Sequence, residues 1–270
     1  MNAPDISMIK AQMKAVWMAG DFGQIARFTE PTAAAFIKRR GLKRGMQVLD
    51  AACGTGNAAI PAAKAGAYVT GVDIASNLLE AARERARRAR LNIRFDEGDV
   101  EDLPYADASF DLVVSMFGAI FAPRPERAAA ELIRVCRPGG QIAMANWTPR
   151  GFIGEQHEAL ARHVPARPGM ANPIDWGDAA QVRQRLGDGV TDLRTTAVMA
   201  SLKFPFSAAA TVEFFRTYFG PAQRAFAALS DDKREGLRRD MEDVYVRHNR
   251  AKDGTVHVEA EYLEVVATRA

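Results

Sequence analysis

The chain has 270 residues, 48% of them hydrophobic and 26% charged, with 36 Lys and Arg against 33 Asp and Glu for a formal net charge of +3. Such composition excludes a disordered or fibrous chain, and so small a positive excess gives no reason to expect nucleic acid as a partner. The longest nearly uninterrupted apolar stretch, Leu112 to Pro123, has about a dozen residues, short of the roughly 20 that a membrane-spanning helix needs, so no membrane partner is expected.

In chain order, Ile9 to Arg40 reads as one or two helices broken near Gly20, with Trp17, Phe22 and Phe28 as large apolar groups suited to a lid or to docking the N-terminal helix. Charges at Asp5, Lys10, Lys14 and Asp21 leave no apolar segment of the signal-peptide kind at the start. From Gln47 short apolar runs bounded by Gly or Asp alternate with Ala/Glu/Arg-rich segments at helical spacing, the pattern of a doubly wound α/β core. Strands are predicted at Val48 to Ala51, Tyr68 to Asp73, Ile93 to Glu97, Phe110 to Ser115 and Gln141 to Trp147. Ser76 to Arg90 is predicted as a helix with Ser76 as N-cap, its basic end at Arg87, Arg88 and Arg90 forming a solvated face. Thr148 to Asp178 is Gly- and Pro-rich, and a helical stretch follows to Leu186. The alternating run Leu193 to Phe204 suits an edge strand, Ala208 to Asn249 is helical, and Val256 to Ala267 suits a last strand pairing antiparallel to its neighbour. The layout is a single domain, with residues 1–44 as N-terminal helical lid, 45–150 as binding core and 151–270 as cap and final strands.

Cys53 and Cys136 have no paired spacing and form no metal-ligand pattern, so neither a disulfide nor a metal is expected, and a reducing, cytoplasmic setting is the economical reading. The sharpest signal is Val48-Leu49-Asp50-Ala51-Ala52-Cys53-Gly54-Thr55-Gly56, a buried strand running into a glycine loop before a helix. Gly54 and Gly56 let a ligand lie against the main chain, and in open α/β sheets ligands sit beyond the strands' carboxyl ends. Asp73, ending the next strand, is placed to accept both hydroxyls of a ribose. Gly54, Gly56 and Ala59 also satisfy the form of a nicotinamide dinucleotide site, which leaves an NAD(P)-dependent oxidoreductase as the alternative. Against it, Asp50 is a poor neighbour for a pyrophosphate and a good one for a cation, and no Tyr-x-x-x-Lys pair occurs.

These segments resemble the class I S-adenosylmethionine-dependent methyltransferases, most closely the ubiquinone/menaquinone-biosynthesis type. Val48 to Gly56 is similar to the first motif, Gly71-Val72-Asp73-Ile74 to the second, and Gly98 to Tyr105 to the adenine-binding segment. Phe110 to Ser115 resembles the fourth strand, and Arg137-Pro138-Gly139-Gly140 the turn before the fifth. The resemblance implies a seven-stranded Rossmann-like sheet of order 3-2-1-4-5-7-6 with the last strand antiparallel, a helical cap, and S-adenosyl-L-methionine as cofactor. It implies cofactor contacts from Asp50, Ala51, Gly54 and Gly56 at the methionine end, and from Asp73 at the ribose. Asp99, the Val100 amide and Ile74 would meet the adenine, and the Ser115 carbonyl the amino group. At Ala52 the family often has Gly, and the substitution is harmless if φ there stays below zero.

The implied activity is methyl transfer to a small hydrophobic or aromatic acceptor, with a non-catalytic S-adenosylmethionine binder as a further alternative. Because the stretch after the fifth strand passes over the methyl group, His157 is the first candidate for a base, followed by Glu155 and His163. Trp17, Phe22, Phe117, Trp147, Phe152, Trp176, Phe215 and Tyr218 are candidates to line the acceptor pocket, each with core packing as the plainer reading. Ser115-Met116-Phe117-Gly118 lacks the acidic-or-Asn, Pro-Pro-aromatic run of base-methylating relatives, which argues against a nucleic-acid acceptor. Oligomeric state is not legible.

Overall fold

The computed structural model describes residues 5–164 and 170–270 of the chain, so part of the Gly- and Pro-rich stretch falls outside the described residues. A seven-stranded sheet runs in the order β3-β2-β1-β4-β5-β7-β6. Its strands are β1 (Gln47–Ala51), β2 (Tyr68–Asp73), β3 (Ile93–Glu97), β4 (Phe110–Met116), β5 (Cys136–Trp147), β6 (Val190–Phe204) and β7 (Val256–Arg269). The pairs from β3 through β5 are parallel, and β7 lies antiparallel between β5 and β6, as expected for the last strand.

The parallel strands are near-continuous apolar runs because helices cover both faces. On one face Val48, Leu112, Val114 and Ala143 pack with Phe36 and Tyr262. On the other Leu49, Val113, Ile142 and Met144 pack with Leu132, Trp176 and Leu186. Each large apolar side chain so buried contributes about 1.5–3 kcal/mol. In β6 only the last residues, Ala200, Leu202 and Phe204, are buried among alternating exposed positions, which fits an edge strand.

The N-terminal segment forms α1 (Ile6–Trp17), α2 (Phe22–Ala26) and α3 (Glu30–Lys38), with Asp5 and Asp21 capping the first two by accepting from Ser7 N and Gly23 N. The break falls at Gly20, which has φ +74° and lies so close to the chain at Tyr218 that a Cβ would come within 2.5 Å of the Tyr218 carbonyl oxygen. Around the core stand α4 (Ala59–Lys64), α5 (Ser76–Arg88) and α6 (Pro125–Val135). Ala75, not Ser76, is the N-cap of α5, and no side chain caps the helix; Asp73 accepts from Ala75 N at 2.9 Å just ahead of it. Arg87 and Arg88 pair with Glu84 on the solvated face.

Two further boundaries differ from expectation. Arg137 to Gly140 lies inside β5 as an irregularity, where the pairing with β4 steps from Phe110–Cys136 to Leu112–Gln141 and Gly139 takes φ +72°. The Gly-rich stretch after β5 contains α7 (Gly151–His163), a helix held by tertiary contacts to α11. The remaining helices are α8 (Ala179–Leu186), α9 (Ala208–Tyr218), α10 (Gly220–Ala227) and α11 (Asp231–His248).

Candidate functional site

The switch in strand order lies between β1 and β4, and the carboxyl ends of β1, β2 and β4 meet there. After Ala51 the chain turns through three left-handed residues, Ala52 (φ +55°), Gly54 (φ +52°) and Gly56 (φ +82°). The condition under which Ala52 would be harmless, a φ below zero, is therefore not met. The turn that carries Cys53 into its hydrogen bond with Val72 O demands the left-handed conformation, and Ala52 adopts it at a steric cost of roughly 1–2 kcal/mol.

Carboxylates fasten this loop. Asp50, 2% exposed, accepts from Ala59 N at 2.8 Å near the start of α4. Burial pushes its pKa up to about 7, against the hydrogen bond from Ala59 and with help from nearby Asp73. Asp73, 8% exposed, accepts from Gly54 N at 2.8 Å, and burial raises its pKa too. Ser115 lies buried at the end of β4, donating to Ala51 O at 2.8 Å and accepting from Ala119 N at 3.0 Å. Asp50, Ala51, Gly54, Gly56, Asp73 and Ser115 thus lie at the carboxyl ends of β1, β2 and β4 and in the loop after β1, with Ile74 next to Asp73. Cys53 is buried in the loop and its thiol pKa is pushed up by burial, which leaves it protonated and unsuited to nucleophilic work.

Asp99 and Val100 follow β3, and Asp99 closes a turn by accepting from Glu101 N at 2.9 Å. Its other oxygen meets Lys10 of α1 at 2.5 Å, and Lys10 also reaches the fully buried Glu101 carboxylate at 2.7 Å. Nothing in the sequence marks Lys10, because its partners lie on a different element.

The aromatic candidates separate into groups. Trp17 packs edge-on against Phe22 (5.6 Å between centroids), Phe121 (4.9 Å) and Phe219 (5.9 Å), and Phe22 lies over Gly54, about where a Cβ there would make van der Waals contact. Phe117 stacks on Trp147 at 3.7 Å, with Tyr262 edge-on to both. Phe117 is itself left-handed, at φ +58°, just past the end of β4. Phe215 joins the first group through Phe219, at 6.0 Å. Tyr218 does not join it: its ring packs on Phe214 and its carbonyl accepts from Asp21 N. Phe152 is buried between α7 and α11 against Tyr245, and Trp176 is buried in the opposite face of the sheet beneath Arg185. Phe28 likewise packs on Phe204. Sequence reasoning missed Phe121, Phe219 and Tyr262; the Phe219-Gly220-Pro221 helix break is the one signal that singles out Phe219.

Of the candidate bases, Glu155 pairs with Arg247 and His248, and His163 with Asp240. His157 is half-buried on α7; burial lowers its pKa against the pull of Asp175 and Glu158, keeping the imidazole neutral and able to accept a proton. Asp175 is two residues before Gly177, which lies against the main chain of Trp147 and Thr148 at the end of β5. Among the described residues no group of three or more His, Cys, Asp or Glu side chains is placed to hold a metal, and no helix is long and apolar enough to cross a membrane.

Residues 48–140 match the methyltransferase-domain family. Over 266 residues the chain is 35% identical to an uncharacterized protein of Mycobacterium tuberculosis, covering 97% of this chain and 95% of that one. It is 39% identical over 142 residues to the demethylmenaquinone methyltransferase of Renibacterium salmoninarum, covering 53% of this chain and 58% of that protein. A solved structure of a putative methyltransferase from Bacillus halodurans shares the fold with a TM-score of 0.60 at 19% identity, over 87% of this chain and 97% of that one. The match spans β1, the glycine loop and the acidic ends of β2 and β3, within a sheet whose seventh strand is reversed, and the chain belongs to the class I S-adenosylmethionine-dependent methyltransferases.

Proposed function

We propose that the protein transfers a methyl group from S-adenosyl-L-methionine to a small hydrophobic or aromatic acceptor. The observation that carries this reading is the buried Asp73 carboxylate beside the left-handed Gly54–Gly56 loop at the switch point of the sheet. Each Asp73 oxygen takes one backbone N–H and keeps a second lone pair, so a ribose diol fits without loss of the existing bonds. Gly54 presents no side chain where the ligand would lie, and Asp50 places acidic character next to a cationic group.

In this reading Asp73 accepts the ribose hydroxyls, Asp99 accepts from the adenine amino group and the Val100 amide donates to a ring nitrogen, with Ile74 against the base. Asp50, Ala51, Gly54, Gly56 and the Ser115 carbonyl hold the methionine end. Bound S-adenosylmethionine supplies a methyl carbon already activated by a positive sulfur, so no acid is required for departure of the thioether. The chain's own part is alignment and exclusion of water. Trp17 and Phe22, joined by Phe121 and Phe219, close over the glycine loop, and the Phe117–Trp147 stack lines the ends of β4 and β5. These rings make a dry wall suited to an apolar acceptor. His157 takes the acceptor's proton where the acceptor retains one.

Titration calorimetry with S-adenosylhomocysteine, followed by transfer of labelled methyl to a panel of phenols, amines and thiols, tests the reading. Binding with transfer to an apolar acceptor is expected. Binding without transfer to any acceptor points to a non-catalytic binder, and preference for NAD(H) overturns the proposal.

A further inference from the structure

The Arg85 guanidinium on α5 is the junction between the glycine loop and the N-terminal segment. Its Nη1 donates to Thr55 O at 2.7 Å, to Thr55 Oγ1 at 2.9 Å and to Asn57 Oδ1 at 2.7 Å. Its Nη2 donates to Glu30 Oε1 at the start of α3 at 2.8 Å. Asn57 completes the connection, because its Nδ2 donates to Ala26 O at 2.8 Å and to Thr29 Oγ1 at 3.1 Å. Its amide orientation is thereby fixed, with the oxygen toward Arg85 and the nitrogen toward the end of α2.

Thr55, the residue so gripped, is 2% exposed and lies between the two loop glycines. The loop is therefore held at two adjacent residues, by Asp73 at Gly54 N and by Arg85 at Thr55 O. The segment tied to it through Asn57 carries Phe22, whose ring covers Gly54. A planar fork with several donors is needed to reach the loop carbonyl, Asn57 and Glu30 together; a lysine ammonium reaches one point and lacks the fork.

From this geometry we propose that Arg85 is a positioning residue for cofactor binding, holding the glycine loop in its ligand-ready shape and coupling that shape to closure of the Phe22 segment through Asn57. The inference rests on the methyltransferase reading given above. Arg85 touches no proposed ligand atom; it acts through Thr55 and Asn57. When Arg85 is removed, the loop loses its hold at Thr55 O and the segment loses both Glu30 and the ordered Asn57 amide. A loose loop binds ligand more weakly because binding must then order it.

The test compares native protein with Arg85→Ala, Arg85→Lys and Asn57→Asp. S-adenosylhomocysteine affinity is measured by calorimetry, backbone amide exchange over residues 22–29 by mass spectrometry, and thermal unfolding as a control for global damage. Arg85→Ala is expected to lower affinity tenfold or more and to speed exchange over 22–29, and Arg85→Lys to recover only part of either. Asn57→Asp keeps an acceptor for Arg85 and loses the donor to Ala26 O. Its affinity is expected to stay within about threefold of native while exchange over 22–29 rises, a separation that general destabilisation would not produce. Native-like affinity and exchange in Arg85→Ala, or parallel loss of affinity and melting temperature across all three variants, overturns the role of Arg85. Failure of the native protein to bind S-adenosylhomocysteine instead overturns the methyltransferase reading on which it rests.

Discussion

The Lys10 ammonium lies 2.5 Å from the Asp99 carboxylate, which fastens α1 to the loop after β3 at the position proposed for the adenine amino group. Burial works against the charge on Lys10, but hydrogen bonds from it to Asp99 and Glu101 outweigh that effect and its pKa is raised. Lys10→Met removes the clasp and leaves Glu101 paired with Arg124. A partly exposed pair of this kind contributes at most about 1 kcal/mol, equivalent to about fivefold in an equilibrium. Lys10→Met is expected to release S-adenosylhomocysteine about fivefold faster in stopped-flow measurements, and unchanged or slower release would show that α1 does not retain the ligand.

Asp50 gives the stability a pH dependence. With its pKa pushed up to about 7 from 3.8, the folded chain holds a proton that the unfolded chain has released between these values. Stability contributed by this group is therefore greatest at low pH and falls as pH rises through about 4 to 7, by a few kcal/mol in order of magnitude. Asp50→Asn keeps an acceptor for Ala59 N and removes the titration. Its melting temperature is expected to exceed that of the native protein at pH 8 and to approach it at pH 5; a variant less stable than native at pH 8 contradicts the effect.

Left-handed Ala52 predicts a stabilising glycine. Ala52→Gly relieves the Cβ strain, and about 1 kcal/mol of added stability is expected after the entropy cost of glycine. Gly118→Ala should do the reverse by about 1–3 kcal/mol, since a Cβ there would stand 2.7 Å from the Ala52 Cβ. Denaturant unfolding measures both, and a destabilising Ala52→Gly or a stabilising Gly118→Ala would remove the strain interpretation.

His157 is expected to serve turnover and not cofactor affinity. Once an acceptor that must lose a proton is in hand, His157→Gln should lower kcat by about 100-fold or more. S-adenosylhomocysteine affinity should stay within twofold. A loss confined to binding would move His157 out of the reaction.

How much of this was legible in sequence depends on the range of the contacts that decide each feature. β2 and β3 begin and end where their apolar runs and bounding polar residues place them. The glycine loop and Asp73 are likewise local signals. The α7 helix was not legible, because Gly151 and Gly154 read as breakers; Gly154 is instead required by close packing on the main chain of Pro149. The positive φ of Ala52 is imposed by how Cys53 pairs with β2. Lys10 and Arg85 are ordinary basic residues of amphipathic helices until the tertiary fold sets them beside Asp99 and Thr55. The aromatic cover was half legible for the same reason: the rings stand out in sequence, but which of Tyr218 and Phe219 turns toward Trp17 depends on the α9–α10 break.

Calorimetric titration of the purified protein with S-adenosylmethionine and S-adenosylhomocysteine is the most direct test of the cofactor site. One saturable site for each ligand is expected, with affinity lost in the Asp73→Ala/Asp99→Ala double variant. No binding of either ligand by the native protein would contradict the site at the glycine loop, and native-like affinity in the double variant would contradict the roles given to the two carboxylates.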